Sequence, residues 1–191
     1  LLGRISQMVG SRQIAKKARK GIVLRNIFRE SFVWIFFILI CILFSKNILV
    51  FYLPFFVLLG FCLYEIFAGL AHPAWFSWTG DLISDKHRGR WFSKRSLILG
   101  VVALVLAICS AFFLDFLKNN GKIIEGFIIL FALAFVFRLI SYQNFKKIYE
   151  PKIVIKKTDY FSFWQFLKRA PKTNFGNFAI YRGLIGFSSA I

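Results

Sequence analysis

The sequence predicts an all-α chain folded as a multipass transmembrane helix bundle, and three observations carry that expectation. Apolar segments long enough to cross a hydrocarbon core of about 30 Å recur along the 191 residues. Hydrophobic residues make up 58% of the chain and its mean hydropathy is +0.66, more than a water-soluble domain of this size ordinarily carries. Lys and Arg, which set a formal net charge of +18, are concentrated in alternate connections between those segments. The same charge on one soluble face would point to nucleic acid. Alternating with apolar runs it points to a membrane, so no nucleic-acid partner is expected.

Taken in order, residues 1–31 hold eight basic side chains (Arg4, Arg12, Lys16, Lys17, Arg19, Lys20, Arg25, Arg29) against one acid, Glu30. Such density predicts a solvated segment facing anionic headgroups. Residues 32–47 form a short first span, closed by the break Ser45-Lys46-Asn47. The second span covers residues 49–79, long enough to tilt, with Pro54 near its start and Pro73 placed to bend its last third. The stretch Gly80–Arg95 then gathers five basic residues, Lys86, Arg88, Arg90, Lys94 and Arg95. Residues 97–117 form a third span, Lys118–Lys122 a turn, and residues 123–145 a fourth span.

Residues 146–176 are again polar, with eight Lys and Arg, and from Asn177 the chain turns apolar as the start of a fifth span over 177–191. Within this stretch Thr158–Ala170 predicts a short amphipathic helix, begun by Thr158 or Asp159 and ended by Pro171. It either lies in the interface plane or packs on the inner end of the bundle. The chain opens on Leu1 and stops inside an apolar run, so it reads as part of a longer protein.

The stretches 1–31, 80–96 and 146–176 carry eight, five and eight basic residues, while the breaks at 45–48 and 118–122 carry one and two. The positive-inside rule places the first three in the cytoplasm and the protein in the cell membrane. Trp34, Trp75, Trp78, Trp91 and Trp164 are expected at the same inner interface, where amphipathic rings favour the headgroup level. Cys41, Cys62 and Cys109 all fall in apolar runs without a CxxC pair, so they predict neither a disulfide framework nor a metal site.

The stretch Gly3-Arg4-Ile5-Ser6-Gln7-Met8-Val9-Gly10-Ser11-Arg12 resembles the cytoplasmic signature of the major facilitator superfamily, a Gly-x-Leu-x-Asp-x-x-Gly-x-Arg/Lys pattern between that family's second and third helices. Gly3, Ile5, Gly10 and Arg12 match, and Gln7 stands where the family usually has Asp. Gly80-Asp81-Leu82 and Arg88-Gly89-Arg90 resemble the related loop between its fourth and fifth helices. Residues 97–117 lack the Gly and Pro pattern of the family's antiporters. The resemblance implies a partial major-facilitator-type fold running from the second loop to the start of the seventh helix. Residues 1–145 would then belong to the N-terminal bundle and 146–176 to the loop between the two halves. It implies secondary transport of a small solute, with a proton or sodium ion as coupling candidates, by a monomer. It also implies that Asp81, Arg88 and Arg90, with Arg12, latch the cytoplasmic side, the turns being allowed by Gly3, Gly10, Gly80 and Gly89.

Ionisable groups at membrane depth are costly and therefore the first functional candidates. Glu65 lies roughly 20–25 Å from either end of the second span at 1.5 Å per residue, and His72, seven residues on, shares its helix face. This pair suits proton transfer or contact with a polar substrate, or a hydrogen bond to a neighbouring helix. Arg138 and Arg182 occupy inner halves of spans, where each suits an anionic group, a carboxylate partner or snorkelling to the headgroups. No enzyme constellation, cofactor motif or metal spacing is present in the sequence. Two rivals to transport are a membrane-embedded enzyme and a non-transporting sensor or scaffold whose basic loops dock partners or anionic lipid.

Overall fold

A computed structural model of the chain describes residues 2–14, 18–151, 172–174, 176–178, 181 and 185. The chain divides into two compact units, Leu1–Pro151 and Lys152–Ile191. Among the described residues the first contains five α-helices: α1 (Leu2–Ile14), α2 (Arg19–Ser45), α3 (Leu53–Leu82), α4 (Asp85–Asn119) and α5 (Ile123–Lys147), with a 3₁₀ turn at Val50–Tyr52. Four of them, counting the 3₁₀ turn with α3, are long and apolar enough to cross a membrane. No strand occurs among the described residues. In the second unit Thr173 accepts the Gly176 N–H through Oγ1 and the Asn177 N–H through its carbonyl, the bonding of a helix N-cap. The amphipathic helix expected at Thr158–Ala170 lies outside the described residues, as do Trp164 and Arg182.

Two of the turns follow directly from local sequence. After α2 the N–H of Asn47 bonds the Phe44 carbonyl and that of Ile48 bonds Leu43, with Asn47 at φ 53°. After α4 the N–H of Gly121 bonds Lys118 and that of Lys122 bonds Leu117, with Gly121 at φ 71°. Both are Schellman closures, which need a residue tolerant of the left-handed region where Asn and Gly stand. α3 starts with Pro54 in its first turn, where a missing N–H costs nothing. Asp85 opens α4, Glu125 opens α5, and Lys118, Lys146 and Lys147 close them, each charge complementing the helix dipole.

The helices extend beyond the apolar runs. α2 begins thirteen residues before the expected first span, so residues 19–31 are not a solvated segment. The reason is periodicity: Arg19, Ile22, Val23, Asn26, Ile27, Glu30, Val33, Phe37 and Ile40 repeat at helical spacing and are all buried, while Arg25, Phe28 and Arg29 face out. α1 is also helical and buries Gly3, Ser6 and Gly10. The basic stretch after the second span is equally helical. α3 runs through Pro73 to Leu82 and α4 starts at Asp85, leaving only Ile83 and Ser84 between them.

α2 is the central element, packing against both α3 and α5, while α1 packs on α3 and α4 on α5. Two apolar clusters form along it. One, at the end where the basic residues gather, joins Ile22, Val23 and Ile27 to Ala74 and Trp78. The other joins Val33, Phe37 and Ile40 to Leu53, with Phe131 of α5 stacked on Phe37 at 5.3 Å. α4 differs from the rest in burying no residue; Leu97 and Leu104 are 68% and 63% exposed. A helix so apolar and so bare is stable against lipid or another helix, not against water. Trp78 is not an interfacial ring but a core residue, 1% exposed, and Trp34 lies mid-helix against Tyr64 and Phe131.

Candidate functional site

Three groups of polar side chains lie at different levels of the bundle. At its basic end Arg19, the first residue of α2, is fully buried and donates Nη1–H to Ser77 Oγ at 2.9 Å and to Asp81 Oδ2 at 2.6 Å. A cation opening a helix opposes the dipole; Asp81 and Ser77 of α3 compensate it. The segment leaving α5 completes the cluster. Lys20 N–H donates to Glu150 Oε1 at 3.1 Å, and Ala18 at the N-cap position offers no side-chain bond, so Glu150 caps α2 from 130 residues away. Lys20 Nζ donates to the Ile148 carbonyl at 2.7 Å and Trp78 Nε1 to the Tyr149 carbonyl at 2.9 Å. Residues 148–151 therefore form a strap across the ends of α2 and α3.

About 16 Å further along α2, at ~1.5 Å per residue, Glu30 is completely buried between the two apolar clusters and paired with Arg138 of α5. Arg138 lies nine residues before the end of α5, about 13 Å from the basic end at ~1.5 Å per residue and so at a similar depth. Asn26, one turn before Glu30, donates to the Ile22 carbonyl, but its own Oδ1 and Glu30 Oε1 are buried without a partner. Of the partners expected for Arg138, the structure shows a carboxylate, that of Glu30.

The third group is the seam between α1 and α3. Gly69 of α3 and Gly3, Ser6 and Gly10 of α1 bring the two backbones together: a Cβ on Gly10 would stand 2.7 Å from the Leu70 carbonyl oxygen, and one on Gly69 would strike Ser6. Ser6 Oγ–H bonds the Gly3 carbonyl at 3.0 Å within this seam. Glu65 extends its carboxylate over Gly3, where any side chain would displace it. It is exposed, mid-helix, and in no salt bridge among the described residues. His72 is exposed two turns nearer the basic end, its ring parallel to Phe76 within 13° at 6.4 Å. Seven residues separate it from Glu65, about 10 Å along the axis, so the two line one face without touching.

The remaining residues implicated by sequence are dispersed. Asp81 is paired with Arg19, whereas Arg88 binds Asp85 at 2.7 Å within α4's first turn. Arg12 closes α1 and is exposed, as are Arg90 and Gly89. Gly80 lies beneath Arg88, whose Nε would be 4.0 Å from a Cβ there. Among the described residues no ion pair joins Asp81 to Arg12, Arg88 or Arg90. Sequence reasoning passed over Arg19 and Glu30 by counting them with a solvated segment. The helical stripe that begins at Arg19 was the signal that finds both.

Fold and charge placement together define a multipass membrane helix bundle with ionisable groups held at depth. No family model, curated protein or solved structure matches the chain.

Proposed function

We propose that this chain is the greater part of one bundle of a secondary active transporter of the major facilitator type, moving a small solute across the cell membrane by alternating access. The observation that carries the reading is Glu65: an exposed carboxylate near the middle of a membrane-long helix, with no cationic partner among the described residues. Holding such a group at depth costs several kcal/mol unless it meets a proton, an ion or a polar solute. Function is the usual reason to retain it. The Arg19–Asp81 pair and the strap at residues 148–151 support the same reading, because a bundle that rocks as a unit needs its inner ends fastened. In this reading Glu65 and His72 face the pathway, Arg138 braces the bundle, and the basic end is cytoplasmic.

The test is flux. With the protein in liposomes, counterflow across a panel of radiolabelled sugars, amino acids and carboxylates should find a transported solute, and Glu65→Gln should reduce coupled uptake by at least tenfold. Uptake unchanged in that variant removes Glu65 from the mechanism. An absence of flux for every solute favours the sensor or scaffold.

Sidedness is tested separately. In a background with Cys41, Cys62 and Cys109 replaced by Ser, cysteines at Lys118 and Lys94 should react with an impermeant maleimide from opposite faces, Lys118→Cys from outside. Labelling of both from one face would refute the threading.

A further inference from the structure

Two depressions at the basic end of the bundle adjoin. One, of about 360 Å³, lies between α3, α4 and α5, walled by Trp75, Trp78, Thr79, Trp91, Arg95 and Phe145 among others. The second, of about 410 Å³, runs along α4 and is lined by Trp91, Lys94, Arg95, Ile98 and Leu99. They share Trp91 and Arg95, so they make one groove that starts between helices and continues onto the bare apolar face of α4. Arg95 is held in it by Trp75, whose ring centroid is 4.3 Å from the guanidinium carbon. The nearby acids are already engaged, Asp81 by Arg19 and Asp85 by Arg88, and among the described residues neither Lys94 nor Arg95 has an ion-pair partner.

From these features we infer that the groove is a binding site for one anionic phospholipid of the basic-side leaflet. The argument is one of level and chemistry. Lys94 and Arg95 are the last charges on α4 before Asp115, so they mark where the helix leaves the headgroup region. A phosphate at that level meets two cations that lack counter-charges, in a pocket between helices of the kind that takes lipid headgroups. Beyond it Ile98 and Leu99, 48% and 47% exposed, offer an acyl chain an apolar track in the right direction. Trp91, 40% exposed and one turn nearer the basic end than Arg95, walls the headgroup end of the groove. The site depends only on the helices crossing a membrane and is independent of transport.

Native mass spectrometry of the purified protein tests this with phosphatidylglycerol and phosphatidylcholine of identical chains. One phosphatidylglycerol per chain should be retained with about tenfold preference over phosphatidylcholine, and Lys94→Gln with Arg95→Gln should bring that preference to near unity. Arg95→Lys, which keeps the charge, should retain most of it, and Lys118→Gln with Lys122→Gln at the opposite end should leave it unchanged. Glycerol phosphate without chains should not compete. Equal retention of the two lipids by the unaltered protein, a preference that survives the Lys94/Arg95 change, or full displacement by glycerol phosphate would each overturn the assignment.

Discussion

Arg138→Ala is expected to destabilise the bundle by about 3–5 kcal/mol, because it strands Glu30, a completely buried carboxylate, with no counter-charge. Glu30→Ala should cost less. The arginine left behind is about one-third exposed and can swing its long stem towards the basic end, which the carboxylate cannot do. The double replacement Glu30→Leu with Arg138→Met should be close to neutral, since burying a matched pair repays little beyond its own desolvation. Thermal unfolding in one detergent of the parent, the two single alanine variants and the combined Glu30→Ala/Arg138→Ala variant gives the double-mutant cycle. Strictly additive single costs would mean that the two side chains do not act as a pair.

Trp78→Ala should be comparably damaging, about 3–5 kcal/mol, since it empties the largest side chain of the basic-end core. Its neighbours include Ile22, Val23 and Ile27 of α2, Ala74 of α3 and Phe145 of α5, so the resulting cavity cannot close by moving one element. Trp78→Phe should keep most of that packing and lose only the Nε1–H bond to the Tyr149 carbonyl, about 1 kcal/mol. The Phe variant should therefore unfold near the unaltered protein while cleaving faster by protease within residues 148–151. Unfolding of the Ala variant within 1 kcal/mol of the parent would show that this core does not hold the bundle together.

These two expectations rest on parts of the molecule that differ in how far sequence reveals them. The turns at Asn47 and Gly121 were legible, because a helix closing on a left-handed residue is a matter of a few neighbouring positions. So was the depth of Glu65, which follows from counting residues along an apolar run. The partners were not. Asp81 resembles a loop charge awaiting Arg88 or Arg90, yet Arg19 reaches it across 62 positions, and Arg88 turns to Asp85 in its own helix.

What the sequence by itself determined is the four membrane-long helices among the described residues, the alternating charge of the stretches that flank them and the turns at Asn47 and Gly121, since hydropathy and turn chemistry are properties of short stretches. Only the tertiary structure decided that Arg19 and Glu30 are buried, that Arg138 meets Glu30, and that residues 148–151 fasten α2 to α3. The physical reason is that a charge is paid for by whatever faces it. That neighbour is chosen by how helices pack, which a run of residues does not specify.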